Sequence, residues 1–112
     1  LSMIDNGRME MKYNPLGSSG LLVSELCLGT MVFGEKNSRG TDSRTAERII
    51  HKYLDTGGNH LDTADVYAGG RSEEIVGKAV RRRRAQVVLA TKVRFSMGED
   101  PNDQGLSRCQ DL

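Results

Sequence analysis

Three side chains have types and spacings that suit proton chemistry at a carbonyl. Asp62 and Tyr67 lie in "HLDTADVY" (60–67), and Lys92 lies in "QVVLATKV" (86–93). A carboxylate beside a lysine ammonium keeps that lysine charged and in place. A lysine charge close to a phenol makes the phenol a better proton donor, and a phenol so placed can protonate a carbonyl oxygen. With a hydride supplied by a nicotinamide, that constellation reduces a carbonyl.

Such residues need a scaffold that carries them to one place. The apolar run Leu26 to Leu28 ends at Gly29 and predicts a short buried strand. A helix follows: Asp42 or Ser43 caps it, and Ala46, Ile49, Ile50, Tyr53 and Leu54 recur at helical spacing. Gly57 and Gly58 stop it. "NHLD" reads as a second strand. Ser72 is the expected cap of a second helix, with Glu73 and Glu74 in the first turn, where negative charge suits the helix dipole. Ile75, Val76, Ala79 and Val80 form its apolar face, and the arginines 81–84 close it. "QVVLATKV" reads as a third strand, apolar on both faces up to Lys92.

The order strand, helix, strand, helix, strand implies parallel βαβ units. Functional groups then collect at the C-terminal ends of the strands. Those ends carry Gly29-Thr30-Met31, Asp62 with Tyr67 beyond it, and Lys92. Alternation puts His60 and Asp62 on one face and Leu61 on the other, while Val88, Ala90 and Lys92 share a face. If the two strands are neighbours, Asp62 and Lys92 meet on the interior side. Ahead of these units, "MEMKYNPLGSSGLLVSELCLGT" reads as a hairpin, turning at Asn14-Pro15 and at residues 17–20. The stretch from Arg94 onward has the composition of a loop or tail. No repeat is visible beyond the alternation of elements.

The chain has 112 residues, which suits one domain, and 37% are hydrophobic. With 13 glycines and no Trp, its core must come from Leu, Val, Ile, Ala and Met. A net charge of +1 creates no general field for nucleic acid. The arginines 81–84 lack interleaved aromatics and read as an exposed cationic helix end. No apolar run is long enough to span a membrane. The first residues are polar and glycine-rich rather than leader-like, so the cytoplasm is the expected compartment. Cys27 sits in an apolar run and is expected to be a buried free thiol, while Cys109 lies near the end and is expected to be exposed. Asp65 reads as a turn residue. His60 reads as an interior-facing or interface histidine, without a second residue at metal-ligand spacing. Residues 1–10 are expected to be a flexible N-terminus, with 1–8 as upstream sequence, and 11–112 to form the domain.

The blocks "LCLGTMVFG", "DTADVY", "GGRSEEIVGKA" and "VVLATKV", in this order and spacing, closely resemble the aldo-keto reductases. The resemblance runs from about Met11 to Arg108. It implies a (β/α)8 barrel that binds NADP(H) without a Rossmann fold, and a small carbonyl compound as substrate. It also implies that Asp62, Tyr67 and Lys92 are three members of a catalytic tetrad, with Tyr67 as general acid, tuned by Lys92, which pairs with Asp62. Gly29, Thr30, Met31 and Asp62 would line the nicotinamide end of the cofactor site, and the hairpin would plug the bottom of the barrel. The family's fourth member is a histidine at the end of the next strand, a position that neither His51 nor His60 occupies. The residues that clamp the cofactor's 2′-phosphate and adenine lie in the last third of a full barrel.

A full barrel takes roughly 250 residues, so the resemblance implies an incomplete one: an α/β chain with an N-terminal hairpin and three βα-type parallel strands. The loss of the family pattern after Arg108 reads as a frameshift, an early stop or a clipped gene. Open strand edges and an uncovered interior face recruit partners. The expectation is a homodimer that completes or rearranges the barrel. Three functions follow: a reductase piece that takes NADP(H) and a carbonyl compound, a non-catalytic self-associating interaction module, or a nicotinamide-independent activity at a dimer interface.

Overall fold

The computed structural model describes residues 2–3 and 9–107, with side chains from Glu10 onward. Cys109, and Leu1 and residues 4–8 of the expected flexible N-terminus, lie outside the described residues.

Two antiparallel pairs open the chain. β1 (Ser2–Met3) pairs with β2 (Met9–Glu10), and β3 (Tyr13–Pro15) pairs with β4 (Leu22–Ser24). The second pair is the expected hairpin, turning at residues 17–20, but Asn14 and Pro15, also read as a turn, pair with Val23 and Leu22 inside the ladder. The Leu16 N–H closes onto the Leu21 carbonyl at 2.9 Å, and the Ser19 hydroxyl donates to the Leu16 carbonyl at 2.6 Å. The centre of the fold is β5 (Leu28–Gly29), α1 (Ser43–Asp55), β6 (His60–Asp62), α2 (Arg71–Val80) and β7 (Val88–Ala90). The three strands form one parallel sheet in the order β5-β6-β7. No helix among the described residues is long and apolar enough to cross a membrane.

Helix α1 begins where the sequence says it should. The Asp42 carboxylate accepts the Thr45 N–H at 3.0 Å and the Thr45 hydroxyl at 2.8 Å. It ends at two glycines with different tasks. Gly57 takes a φ of +97°, which a side chain would strain. Gly58 lies so close to the Tyr53 ring that an added Cβ would meet it at 2.2 Å.

The helices share a core with one face of the sheet. Ala46, Ile50 and Leu54 of α1 and Val76, Ala79 and Val80 of α2 pack with Phe33, Leu61 and Val87. Leu28 and Leu89 lie against this cluster. Each fully buried aliphatic side chain contributes roughly 1.5–3 kcal/mol of transfer free energy. The opposite face of the sheet carries His60, Asp62, Val88 and Ala90, all half-buried.

Several details depart from the sequence reading. Cys27 is exposed, not buried, and Leu26 is 50% exposed. The strand here is only Leu28–Gly29, and its helix-side residue is Leu28, so the residues before it gain little cover. Ile49 is exposed, because the side of α1 that faces the core carries Ala46, Ile50 and Leu54, with Tyr53 at its border. Ser72 does not cap α2. Gly70 takes the cap position, and Ser72 is buried inside the first turn. β7 stops at Ala90, two residues short of Lys92.

Candidate active site

Asp62 is the last residue of β6, and Tyr67 lies five residues on, at the start of a kinked turn, Tyr67–Gly70, in which Ala68 and Gly69 take positive φ. Lys92 follows β7, the neighbouring strand. Parity along β6 and β7 puts Asp62 and Ala90 opposite each other on the face away from the helices, and Lys92 continues that row. The expected meeting takes place: Lys92 Nζ donates to Asp62 Oδ2 at 2.6 Å and to the Tyr67 hydroxyl at 3.2 Å. Its third donation goes to the Thr63 carbonyl at 3.0 Å. An ammonium has three N–H donors, so this set uses all of them. The ammonium also lies 4.9 Å from the centre of the Tyr67 ring.

The hydrogen bond that Lys92 donates to Asp62 is the main cause that holds its ammonium above the ordinary lysine range, with desolvation opposing and Tyr67 adding to the rise. Lys92 is therefore a fixed positive charge at neutral pH. Tyr67 accepts from that charge, which leaves its own proton for another acceptor. On the same face, desolvation and the Asp62 charge push the Cys27 thiol up, and Lys92 opposes them. Cys27 stays a protonated thiol close to the site.

Gly29 is paired in register with Asp62, and the space where its Cβ would stand is open. Met31 is 61% exposed. Thr30 is placed differently: it is fully buried, and its hydroxyl donates to the Asp62 carbonyl at 3.0 Å. Asp65 serves the turn, with its N–H on the Lys92 carbonyl at 3.1 Å. The Tyr53 hydroxyl accepts the His60 N–H at 3.1 Å and lies 2.9 Å from the His60 carbonyl and 2.6 Å from the Leu26 carbonyl, which compete for its one proton.

Sequence reasoning missed a buried hydroxyl cluster beneath the site. Ser72 donates to the Thr30 carbonyl at 2.7 Å and lies 2.9 Å from the Thr30 hydroxyl, with the Thr63 hydroxyl at 3.3 Å. All three residues are at most 1% exposed. The cluster ties the loops after β5 and β6 to α2, and so fixes the backbone on either side of Asp62.

Comparison with known proteins agrees with this geometry. Residues 25–110 match the family model described as "Aldo/keto reductase family". A protein of Arabidopsis thaliana named as a probable voltage-gated potassium channel subunit beta is 46% identical over 102 residues, covering 88% of this chain and 30% of that protein. The Bacillus subtilis oxidoreductase YrpG is 47% identical over 100 residues, covering 83% and 29%. The holo structure of the aldo-keto reductase AKR11C1 from Bacillus halodurans superposes with a TM-score of 0.68 at 45% identity, over 81% of this chain and 29% of that one. The chain thus spans about 30% of the length of the curated relatives it matches. With the match covering most of its length, and with the acid, phenol and ammonium in contact at the strand ends, the chain belongs to the aldo-keto reductase family.

Proposed function

We propose that this chain carries the proton-donating part of an NADP(H)-dependent carbonyl reductase site. The observation that supports the reading most is the Asp62–Lys92–Tyr67 contact at 2.6 and 3.2 Å. Tyr67 gives its proton to the carbonyl oxygen of a small aldehyde or ketone. The Lys92 ammonium stabilises the negative charge that develops on the phenol oxygen, and Asp62 holds the ammonium in place. Open space at Gly29 and the exposed Met31 fit the nicotinamide end of the cofactor beside Asp62. When bound there, the cofactor supplies the hydride. The free thiol of Cys27 suits a reducing compartment such as the cytoplasm. The half-buried sheet face favours self-association, and a homodimer is the expected state.

The test is NADPH titration calorimetry on protein of measured solution mass, followed by NADPH oxidation with an aldehyde panel. Micromolar binding is expected, with turnover that falls by about 10²–10⁴-fold in Tyr67→Phe. No binding at millimolar cofactor, or equal rates for the two proteins, overturns the reading.

A second reading is an interaction module without turnover. It is favoured by the name of the Arabidopsis relative, a channel subunit. That reading expects stable association without consumption of NADPH.

A further inference from the structure

We propose that the first turn of α2 grips the ends of all three parallel strands, and that Glu73 and Thr91 act there as positioning residues for Lys92. The inference rests on the reading of Lys92 as the ammonium beside the proton donor. Its starting point is a pattern in the chain. Each strand ends in Leu-Xaa-Thr: Leu28-Gly29-Thr30, Leu61-Asp62-Thr63 and Leu89-Ala90-Thr91. The pattern is in register, because Leu28, Leu61 and Leu89 pair across the sheet, as do Gly29, Asp62 and Ala90. The leucines face the helices. By alternation the threonines continue that row, one step beyond the site residues.

The pairing extends into this threonine row. The Thr30 N–H donates to the Asp62 carbonyl at 3.1 Å, and the Thr63 N–H to the Ala90 carbonyl at 2.8 Å. Two adjacent residues of α2 meet the three hydroxyls. Ser72 takes Thr30 and Thr63, as described above. The Glu73 carboxylate accepts the Thr91 hydroxyl at 2.5 Å. Neighbouring strands are about 4.8 Å apart, so consecutive side chains on one helical turn reach different strands. A carboxylate acceptor makes a strong hydrogen bond, and the helix start favours its charge.

The location of Thr91 gives the contact its importance. The β7 ladder ends at Ala90, and Lys92 hangs from the next residue. Thr91 is anchored to the helix on one side. On the other, the Lys92 carbonyl accepts the Asp65 N–H at 3.1 Å. Between these two fixed points, the Lys92 side chain is directed to Asp62 and Tyr67. Loss of the Glu73–Thr91 bond frees the strand end while Asp62 and Tyr67 stay where they are.

The test follows the Lys92 side chain itself, by NMR of ¹³C-labelled lysines through a pH titration, with the Lys92 signal assigned by Lys92→Arg. Asp62→Asn sets the scale, since it removes the ammonium's main partner. Glu73→Ala and Thr91→Val are expected to lower the Lys92 midpoint in the same direction as Asp62→Asn, by a smaller amount, because they act through the placement of the side chain rather than by removing its partner. Glu73→Gln and Thr91→Ser retain a donor and an acceptor, and are expected to restore the wild-type midpoint. An unchanged midpoint in Glu73→Ala overturns the proposal, as does a fall in Glu73→Gln equal to that in Glu73→Ala, which would be an effect of charge alone. If Thr91→Val does not fold, the Glu73 pair decides the matter. The readout needs neither cofactor nor turnover, so a chain that binds no NADPH still tests the grip.

Discussion

Ser72→Ala tests the buried hydroxyl cluster as an energetic unit. The substitution removes one oxygen and almost no volume, so the cavity contribution is small. Two hydrogen bonds are lost: the one Ser72 donates toward Thr30, at 2.7 Å to the carbonyl, and the one it shares with Thr63 at 3.3 Å. Ser72 and Thr30 are both 0% exposed, so water cannot replace them. At about 1 kcal/mol per bond, with the penalty for groups left unpaired, the expected loss is about 2 kcal/mol. A chain of 112 residues is held by roughly 0.05–0.15 kcal/mol per residue. The loss is therefore a large part of the total. In a urea titration followed by far-UV circular dichroism, the midpoint should fall by about 1 M at unchanged slope. Thr30→Val removes the partner hydroxyl, and the double variant should cost less than the sum of the singles by at least about 0.5 kcal/mol. A Ser72→Ala cost under about 0.5 kcal/mol, or additive singles, would refute the reasoning.

Three further outcomes follow from the geometry. Gly58→Ala should destabilise the fold by about 1–3 kcal/mol, because its methyl would lie 2.2 Å from the Tyr53 ring; a thermal melt equal to wild type would contradict the packing. The Asp42 carboxyl is held below the usual carboxylate range, first by the Thr45 N–H and then by its hydroxyl. Its stabilisation is complete above the unfolded value, about 3.9, and is lost as pH falls through the lowered folded value. Asp42→Asn should flatten that acid limb of melting temperature against pH. Lys92 has the opposite sign: its folded value is raised, so its contribution is complete below about 10.4 and lost as pH climbs through the folded value. With the Lys92 side chain 53% exposed, solvent screening keeps this effect small. Asp62→Asn should remove it from an alkaline stability profile.

Much of the scaffold was legible because periodicity reports burial directly. The spacing of α1 placed Ala46, Ile50 and Leu54 on its apolar face, though it also included the exposed Ile49, and it narrowed the cap to Asp42 or Ser43, of which Asp42 serves; alternation within two short strands brought Asp62 to Lys92. Ser72 was misread for a physical reason. A serine followed by two acids has the composition of a capped helix start, and nothing in that local pattern shows that Gly70 takes the cap and turns the serine inward. Cys27 was misread because an apolar neighbourhood does not say which way one side chain faces, and Leu28 took the covered side. The Leu-Xaa-Thr pattern was present throughout. Its meaning depends on strand register, which single strands of two or three residues do not reveal.

The hairpin at the far end of the sheet has a dynamic consequence. Tyr13 donates to the Gly57 carbonyl at 2.5 Å, and Asn59 donates to the Leu22 carbonyl at 2.9 Å while accepting the Ser24 N–H at 2.7 Å. Tyr53 joins Leu26 and Ser24 to the same network at 2.6 and 2.8 Å. The hairpin cannot lift away without exposing the start of β6. Its amides and those of β6 should therefore exchange with solvent as one cooperative unit, with a common opening free energy. A two-stranded ribbon that would fray within moments by itself is slowed to the pace of the sheet it is tied to.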